Sequence, residues 1–548
     1  MPPTRSAHVD TFCRDRLPPP EQQPEFLFDL PELRYPDRLN CAQRLLDDAI
    51  RRFGGDRPCL RTPADCWSYA ELARRSDRIA RVLAEDLGVR PGNRVMLRGP
   101  NNPWTVAAWL AVVKAGGVAV TVMPLLRAGE IAELVAITRP ALVLADHRFA
   151  DDLPAPPAGP VVVGYGGAGP ADLVARAESK VDGFRCVDTA ADDVVLLAPT
   201  SGTTGRPKAT MHYHRDVLAC ADTFARHVLR PRPDDLFTGT PPLGFTFGLG
   251  GLVVFPLRCG ASTLLLERAT PAELADAIAA HGVTVLFTAP TAYKAMLAAG
   301  KAPALAGLRR CVSAGEHLPA STWERFHRAT GLRIIDGIGG TELLHIFISA
   351  ADDDIRPGAT GRAVPGYRAA VLDDDGRPVP DGVPGRLAVK GPTGCRYLAD
   401  DRQRDYVRHG WNLTGDTYVR DADGYFWFQA RDDDMIVSAG YNIAGPEVEA
   451  ALLDHPDVAE TAVVAAPDAD RGAVVCAFVV LRAGVTGDTA KAAELQAFVK
   501  AAIAPYKYPR RVEFTAALPK TPSGKVQRYR LRRLVAEPGT PSGDALIP

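Results

Sequence analysis

The chain has 548 residues, 46% of them hydrophobic and 24% charged, a composition that excludes a disordered polyelectrolyte or a fibrous repeat. At about 150 residues per domain, this length suits three or four domain-sized units. Lysine and arginine number 64 against 65 acidic residues, so the net charge of -1 gives no bulk attraction to nucleic acid or anionic lipid; any bound anion needs a local site.

The N-terminal stretch MPPTRSAHVDTFCRDRLPPPEQQ lacks the apolar core of a secretory signal. Ten scattered cysteines form no C-x-x-C pair and no Cys/His cluster at zinc-ligand spacing. Both features lead to the expectation of a cytoplasmic protein in a reducing compartment. From about residue 70, short β-branched runs alternate with stretches of helical period, the pattern of parallel sheets with helices on their faces. Residues 153–170, LPAPPAGPVVVGYGGAGP, read as a loop concentration. Residues 194–198 read as a strand, followed by TSGTTGRPK and then by Val217, Ala221, Phe224 and Val228 at helical spacing. The uncharged stretch 236–257 carries five glycines and three prolines, so a loop-rich buried segment is expected there rather than a membrane helix. Residues 283–287 and 293–297 repeat the strand–helix scheme. After the strand YFWFQA comes a charged break, RDDD, where the domain boundary is expected. Beyond it the pattern predicts a helix over 447–453, strands over 459–465 and 473–481, a helix over 490–503, a last strand near Val512 and a frayed tail, EPGTPSGDALIP.

The strongest local signal is TSGTTGRPK, directly after an apolar strand. Hydroxyls of Thr200, Ser201, Thr203 and Thr204, amides freed by Gly202 and Gly205, and the charge of Lys208 together suit a phosphate cradle. The glycine spacing fails the G-x-x-x-x-G-K-[ST] pattern of a Walker loop. A plain Gly/Thr turn between strand and helix is the bland alternative.

This segment resembles the phosphate loop of the adenylate-forming superfamily, which includes acyl-CoA synthetases, luciferases and peptide-synthetase adenylation domains. The matches GIGGTE (337–342), TGD (414–416), RDDDMIVSAGYNI (431–443) and PKTPSGK (519–525) follow in the family's order, so the resemblance spans nearly the whole chain after about residue 40. It implies an α/β fold with a large N-terminal domain of stacked sheets and helices, residues 1–432. A small, mobile α+β C-terminal domain, 433–548, would turn on a hinge at about 431–434, with Asp433 at the hinge position. ATP, Mg2+ and CoA are the implied cofactors.

The same resemblance implies roles residue by residue. Thr200 and Lys208 face the phosphates; Thr341 offers a hydroxyl to a phosphate oxygen, and Glu342 a hard carboxylate to Mg2+. Asp416 accepts from the ribose hydroxyls, and Arg431 contacts ribose or phosphate. Gly315, Glu316, Asp336 and Gly337 join the nucleotide side, with Gly440 and Tyr441 in the SAGYNI segment expected near the pantetheine path. Lys525 is the lysine of the adenylation step. The implied mechanism has two steps: a carboxylate attacks the α-phosphorus of ATP, and CoA thiol then attacks the acyl-adenylate without a protein nucleophile.

For the acid, PPLGFTFGLGG (241–251) resembles the acyl-pocket motif, with Phe245 and Phe247 as walls, although either is equally well a core residue. No aspartate lies within 236–257 to pair with a substrate ammonium, which disfavours an α-amino acid. The stretch DGIGGTELLHIFIS resembles aryl-CoA ligases of the benzoate type, in which Ile338 and Gly339 line a flat pocket and His345 closes it; Gly340 replaces a serine of that group. MHYHRDVLACADTF and IVSAGYNIAGPEVE are more similar to 2-aminobenzoate (anthranilate) CoA ligases, making that acid the expected substrate. Benzoate or another substituted benzoate, a carrier protein as acyl acceptor, and a non-catalytic nucleotide sensor stay open as alternatives. Neither nucleic acid nor membrane is an expected partner, and a homodimer is possible by family habit alone.

Overall fold

Strand runs with both faces apolar require cover on both sides, and the first part of the chain meets that requirement with two large, mostly parallel sheets. The computed structural model describes residues 5–151, 153, 159–201, 207–431, 434–438, 441–468, 472–503, 505–520 and 524–536, with backbone alone at Ser201, Val437, Tyr441 and Asn442. The chain divides into two units, Met1–Ala370 with Ala388–Thr414, and Val371–Leu387 with Gly415–Pro548.

In the first unit a six-stranded sheet runs in the order Val161–Tyr165, Leu142–Asp146, Arg94–Arg98, Val118–Val122, Val194–Ser201, Pro207–Tyr213. All its pairings are parallel except the last, which is antiparallel. A nine-stranded sheet has a parallel centre, Ile334–Gly339, Arg310–Ser313, Val285–Thr288, Leu236–Gly239, Ser262–Leu264 and Pro58–Arg61, with antiparallel edges. The helix Pro103–Lys114 is buried almost all round, as its PWTVAAWLAVVK sequence requires. Its terminal Lys114 is held at 3.1 Å by Asp47 and at 2.7 Å by Asp77.

The segment 236–257 departs from the loop-rich expectation. After the strand Leu236–Gly239, helical structure runs from Thr246 to Cys259, part of it widened to π geometry at Gly250–Val254. The glycines are there for closeness of packing rather than as breaks. A methyl on Gly248 would lie 2.2 Å from the Pro242 carbonyl oxygen, one on Gly250 2.3 Å from the His345 ring, and one on Gly251 2.6 Å from Phe287.

In the second unit, Val458–Asp468 and Gly472–Leu481 pair antiparallel, and Arg511–Phe514 joins the latter in parallel. The helices Gly445–Leu453 and Thr489–Ala502 supply Val448, Leu452, Leu495 and Val499 to a core with Val463, Val475 and Val479. These elements match the expected ones to within a few residues. A further helix, Arg528–Ala536, buries Leu531 and Val535 on the other face of the sheet, beside Ala462, Val464 and Phe478. The expected tail at 537–548 lies outside the described residues. No helix among the described residues is long and apolar enough to cross a membrane.

One fully buried ion pair fixes the edge of the six-stranded sheet. Arg396 donates to Asp216 at 2.7 Å, both side chains are 0% exposed, and Asp216 also accepts from the Tyr213 backbone N–H at 3.0 Å. Arg396 lies over the rings of Phe26 and Tyr213. Replacing Asp216 with alanine strands the guanidinium and is expected to cost about 3–5 kcal/mol. Urea unfolding will check this, and an Asp216→Leu/Arg396→Met pair is expected to recover most of the loss.

Candidate active site

Strand alternation sorts the residues after the phosphate loop. Along Pro207–Tyr213, Ala209, Met211 and Tyr213 enter the core with Val120, Leu197 and Ile131, leaving Lys208, Thr210 and His212 to the opposite face. The antiparallel register sets Thr200 opposite Lys208 across a turn. Gly202, Thr203, Thr204 and Gly205 lie outside the described residues, as do Asp433 and Gly440.

On that opposite face Lys208 Nζ stands 3.1 Å from Glu342 Oε1. The hydroxyl of Tyr397 donates to the same Oε1 at 2.5 Å and accepts from the Lys208 ammonium. Lys208 Nζ also lies 4.1 Å from the centre of the Tyr397 ring. Tyr397 is delivered by the segment 396–398, which docks on the strand through Met211 N–H to Arg396 O, Leu398 N–H to Ala209 O and a bridge between Thr210 and Tyr397. Four residues beyond Lys208 on the same face, His212 is hydrogen-bonded through Nε2 to the Thr341 carbonyl at 2.8 Å. Burial brings its pKa down to about 4, so the imidazole is neutral and donates to that carbonyl.

The strand Ile334–Gly339 leads into this turn with Asp336, Gly337, Ile338 and Gly339 in sequence. Asp336 Oδ1 and the hydroxyl of Ser313, opposite Asp336 in register on the neighbouring strand, are both buried. Burial raises the Asp336 carboxyl from 3.8 to about 8, opposed by its backbone and Ser313 contacts. Gly315 sits at φ +89°, a backbone conformation suited to glycine, and Glu316 accepts from the Thr291 hydroxyl at 3.4 Å. At Gly340 a methyl would stand 3.4 Å from Glu342 Oε2 and 3.9 Å from the Tyr406 hydroxyl, so glycine keeps the approach to that oxygen clear. A carboxylate with one clear oxygen and a neighbouring threonine hydroxyl is a hard-oxygen donor set that fits Mg2+.

The aromatic end of the site centres on His345, which is 3% exposed. Phe224, Phe247, Phe255 and Phe287 surround its ring at centroid distances of 5.5, 5.5, 4.5 and 6.3 Å. Burial lowers its pKa to about 3, with the Phe247 backbone pulling weakly the other way, and neither ring nitrogen meets ordinary hydrogen-bond limits. Phe247 is thus brought to His345. Phe245 is half-buried at the cap of the following helix and is not among the four described rings. Phe224, Phe255, Phe287, Tyr397 and His212 were not assigned site roles by sequence reasoning; the single available sign was the helical spacing that carried Phe224.

In the second unit Asp416 and Arg431 are register partners on neighbouring strands, with Arg431 Nη1 3.3 Å from Asp416 Oδ1. Gly415 has φ +74°, and a methyl there would approach the Arg431 guanidinium at 3.4 Å. Lys525 is exposed and follows Gly524 at φ +89°. Tyr441 pairs with Ser438 in the Met435–Ser438/Tyr441–Ala444 hairpin. One additional group of metal-type ligands occurs among the described residues, His455, Asp457 and Glu494. The Lys491 ammonium already satisfies it, at 2.7 Å from Asp457 and 2.6 Å from Glu494.

The raised Asp336 pKa carries a sign. The folded state retains the proton that the unfolded state releases above 3.8, so stability from this group is full below that value, falls as pH rises, and is lost by about 8. Asp336→Asn removes the titration. Its melting temperature, relative to the parent chain, is expected to climb between pH 5 and 8 and to level off above; a pH-independent difference would mean that Asp336 ionises normally.

Residues 46–397 match the family described as AMP-binding enzyme, and residues 447–525 match the AMP-binding enzyme C-terminal domain. The chain is 35% identical over 515 residues to a benzoate–CoA ligase of Thauera aromatica, covering 92% of this chain and 97% of that one. The crystal structure of the anthranilate CoA ligase AuaEII in complex with anthranoyl-AMP superimposes with a TM-score of 0.87 at 32% identity, covering 92% of this chain and 99% of that chain. A benzoate CoA ligase from Burkholderia xenovorans gives a TM-score of 0.80 at 31% identity, covering 90% and 100%. With the phosphate-loop strand pair, the Lys208–Glu342 couple and both family domains in place, the chain belongs to the AMP-binding enzyme family, in the benzoate–CoA ligase group of the adenylate-forming superfamily, and is an AMP-forming acid–thiol ligase.

Proposed function

We propose that the chain converts 2-aminobenzoate, ATP and CoA to 2-aminobenzoyl-CoA, AMP and pyrophosphate. The observation that carries this reading is the uncharged aromatic chamber around His345. A flat aryl ring matches its four phenyl groups. A neutral imidazole with unsatisfied nitrogens offers an acceptor to an aryl N–H, whereas an α-ammonium group would find no carboxylate within 236–257. Similarity to the anthranilate CoA ligase structure supports the same acid. The similarity to benzoate–CoA ligases supports benzoate as the second reading. Ten free cysteines suit a cytoplasmic setting.

In the first half-reaction the aryl carboxylate oxygen attacks the α-phosphorus of ATP, and the bond to pyrophosphate breaks. The family resemblance assigns the phosphate contacts to Thr200, Ser201, Gly202, Thr203, Thr204, Gly205 and Lys208, and the adenine side to Gly315, Glu316, Asp336 and Gly337. Asp416 and Arg431 hold the ribose. The Thr341 hydroxyl serves a phosphate oxygen, and Glu342 would hold Mg2+, which would supply charge neutralisation to the phosphate oxygens. Lys525 brings an ammonium to the carboxylate and α-phosphate oxygens, stabilising the charge that builds between them. In the second half-reaction the CoA sulfur attacks the acyl carbonyl, its proton passes to solvent and AMP leaves. Turning of the C-terminal part about Asp433 would exchange Lys525 for residues 438–443 between the two steps.

Two experiments test these assignments. Mass spectrometry of products from MgATP, CoA and an equimolar mixture of 2-aminobenzoate, benzoate, 4-hydroxybenzoate and hexanoate is expected to show chiefly 2-aminobenzoyl-CoA. A different dominant thioester would keep the chemistry and replace the acid, while acyl-adenylate without thioester would point to a carrier-protein acceptor. Lys525→Ala is expected to abolish acyl-adenylate formation and to leave thioester formation from supplied acyl-adenylate intact. Equal loss of both steps would remove Lys525 from its assigned role.

A further inference from the structure

The Lys208–Glu342 couple contains a third member that the phosphate-site motifs do not include. Tyr397 is 1% exposed, and its hydroxyl both donates to Glu342 Oε1 and accepts from Lys208. Oε1 is therefore saturated by the phenol and the ammonium, while Oε2 faces the space that Gly340 leaves clear. Tyr397 itself cannot shift easily. Its backbone N–H donates to Gln403 Oε1 at 2.8 Å, Gln403 returns a bond to the Cys395 carbonyl at 3.1 Å, and its ring packs edge-on against Tyr406 at 5.7 Å.

We propose that Tyr397 is a positioning residue of the metal and phosphate site: it pins Glu342 through Oε1 so that Oε2 is presented to the divalent cation, and it holds the Lys208 ammonium where the phosphates arrive. This rests on the reading of Glu342 as the Mg2+ ligand. When MgATP binds, Lys208 exchanges part of its pairing with Glu342 for phosphate oxygens, and the Tyr397 hydrogen bond keeps the carboxylate from following the ammonium. The phenol thus gives the carboxylate a hold that does not depend on its ion pair with the ammonium.

The test compares Tyr397→Phe, Glu342→Gln and the double variant in the full chain. Phenylalanine keeps the ring that packs on Lys208 and Tyr406 and removes the hydroxyl alone. Electron paramagnetic resonance of Mn2+ bound with ATP reads the metal site directly, and a Mg2+ titration of pyrophosphate release reads the first half-reaction. Tyr397→Phe is expected to weaken Mn2+ binding and raise the half-saturating Mg2+ by about tenfold, the scale of a charge-assisted hydrogen bond. Thioester formation from supplied acyl-adenylate is expected to fall much less. The double variant is expected to bind Mn2+ no worse than Glu342→Gln, because toward the metal the tyrosine acts through that carboxylate. Unchanged metal dependence in Tyr397→Phe, or losses that multiply in the double variant, would overturn the proposal. Unchanged Mn2+ binding in Glu342→Gln would instead overturn the metal assignment. Should Tyr397→Phe fail to fold, Tyr397→Gln, which keeps a donor, is to be compared with Tyr397→Met; tighter Mn2+ binding in the glutamine variant is expected, and equal binding would overturn the role.

Discussion

A strand that borders both a core and a ligand site must separate apolar from polar residues at every second position, and Pro207–Tyr213 does so. Its inward residues, Ala209, Met211 and Tyr213, are anchored in the core of the six-stranded sheet. Its outward residues each meet a different partner: Lys208 meets Glu342, Thr210 pairs with Tyr397 in a bridge, and His212 holds the Thr341 carbonyl. A one-residue slip in the pairing with Val194–Ser201 would turn the lysine into the core and a methionine into the site. Register is therefore what converts the phosphate-loop sequence into a functional surface. The buried Arg396–Asp216 pair protects it by tying the docked segment 396–398 to the helix that starts right after the strand.

Electrostatic economy explains the character of the remaining groups. A low-dielectric site can keep Lys208 and Glu342 charged because each satisfies the other. Groups for which burial outweighs their neighbours are neutral instead: His212 near pKa 4 despite Asp216 at 4.0 Å, His345 near 3, and Asp336 protonated up to about 8. At neutral pH the charge near Thr341 thus lies with the Lys208–Glu342 couple, while the cluster of rings around His345 stays uncharged. The division suits a reaction whose two partners, a polyphosphate and an aryl ring, make opposite demands on the environment.

Much of this was legible in the sequence because much of it is local. The strand and loop carrying Thr200 and Lys208 and the turn carrying Thr341 and Glu342 lie in short segments with their own chemistry, whereas the strand Pro207–Tyr213, read as a passage from loop to helix, and the pairing of Asp416 with Arg431 emerged only from the fold. From residue 445 to 514 the helices and strands followed from hydrophobic period; Arg528–Ala536 did not, because its arginine-rich surface masks the two apolar residues that seat it. Tyr397 was not legible. It reaches the site from 189 positions beyond Lys208, in a segment with no glycine signature of its own, and its role exists only once the segment docks. The helix from Thr246 to Cys259 was misjudged for a related reason: glycine lowers helix propensity, but here His345, Phe287 and the Pro242 carbonyl come too close for any side chain, and tertiary packing overrides propensity.

That helix also bears on how one fold accommodates different acids. Gly250 and Gly251 let His345 and Phe287 approach the helix axis, so the chamber is bounded by rings rather than by backbone-proximal side chains. Rings set flat walls and fixed spacing, which discriminate planar from puckered or branched acids by shape. Shape alone discriminates weakly between planar acids that differ by one small substituent, since such a group in an apolar pocket changes binding by only about 1–3 kcal/mol. Stronger selection needs a polar group left unsatisfied when the wrong acid binds. Within the ring of phenyl groups, the described polar side-chain atoms in that condition are the two nitrogens of His345. On the proposed reading, preference among benzoates would turn on whether a substituent reaches that imidazole.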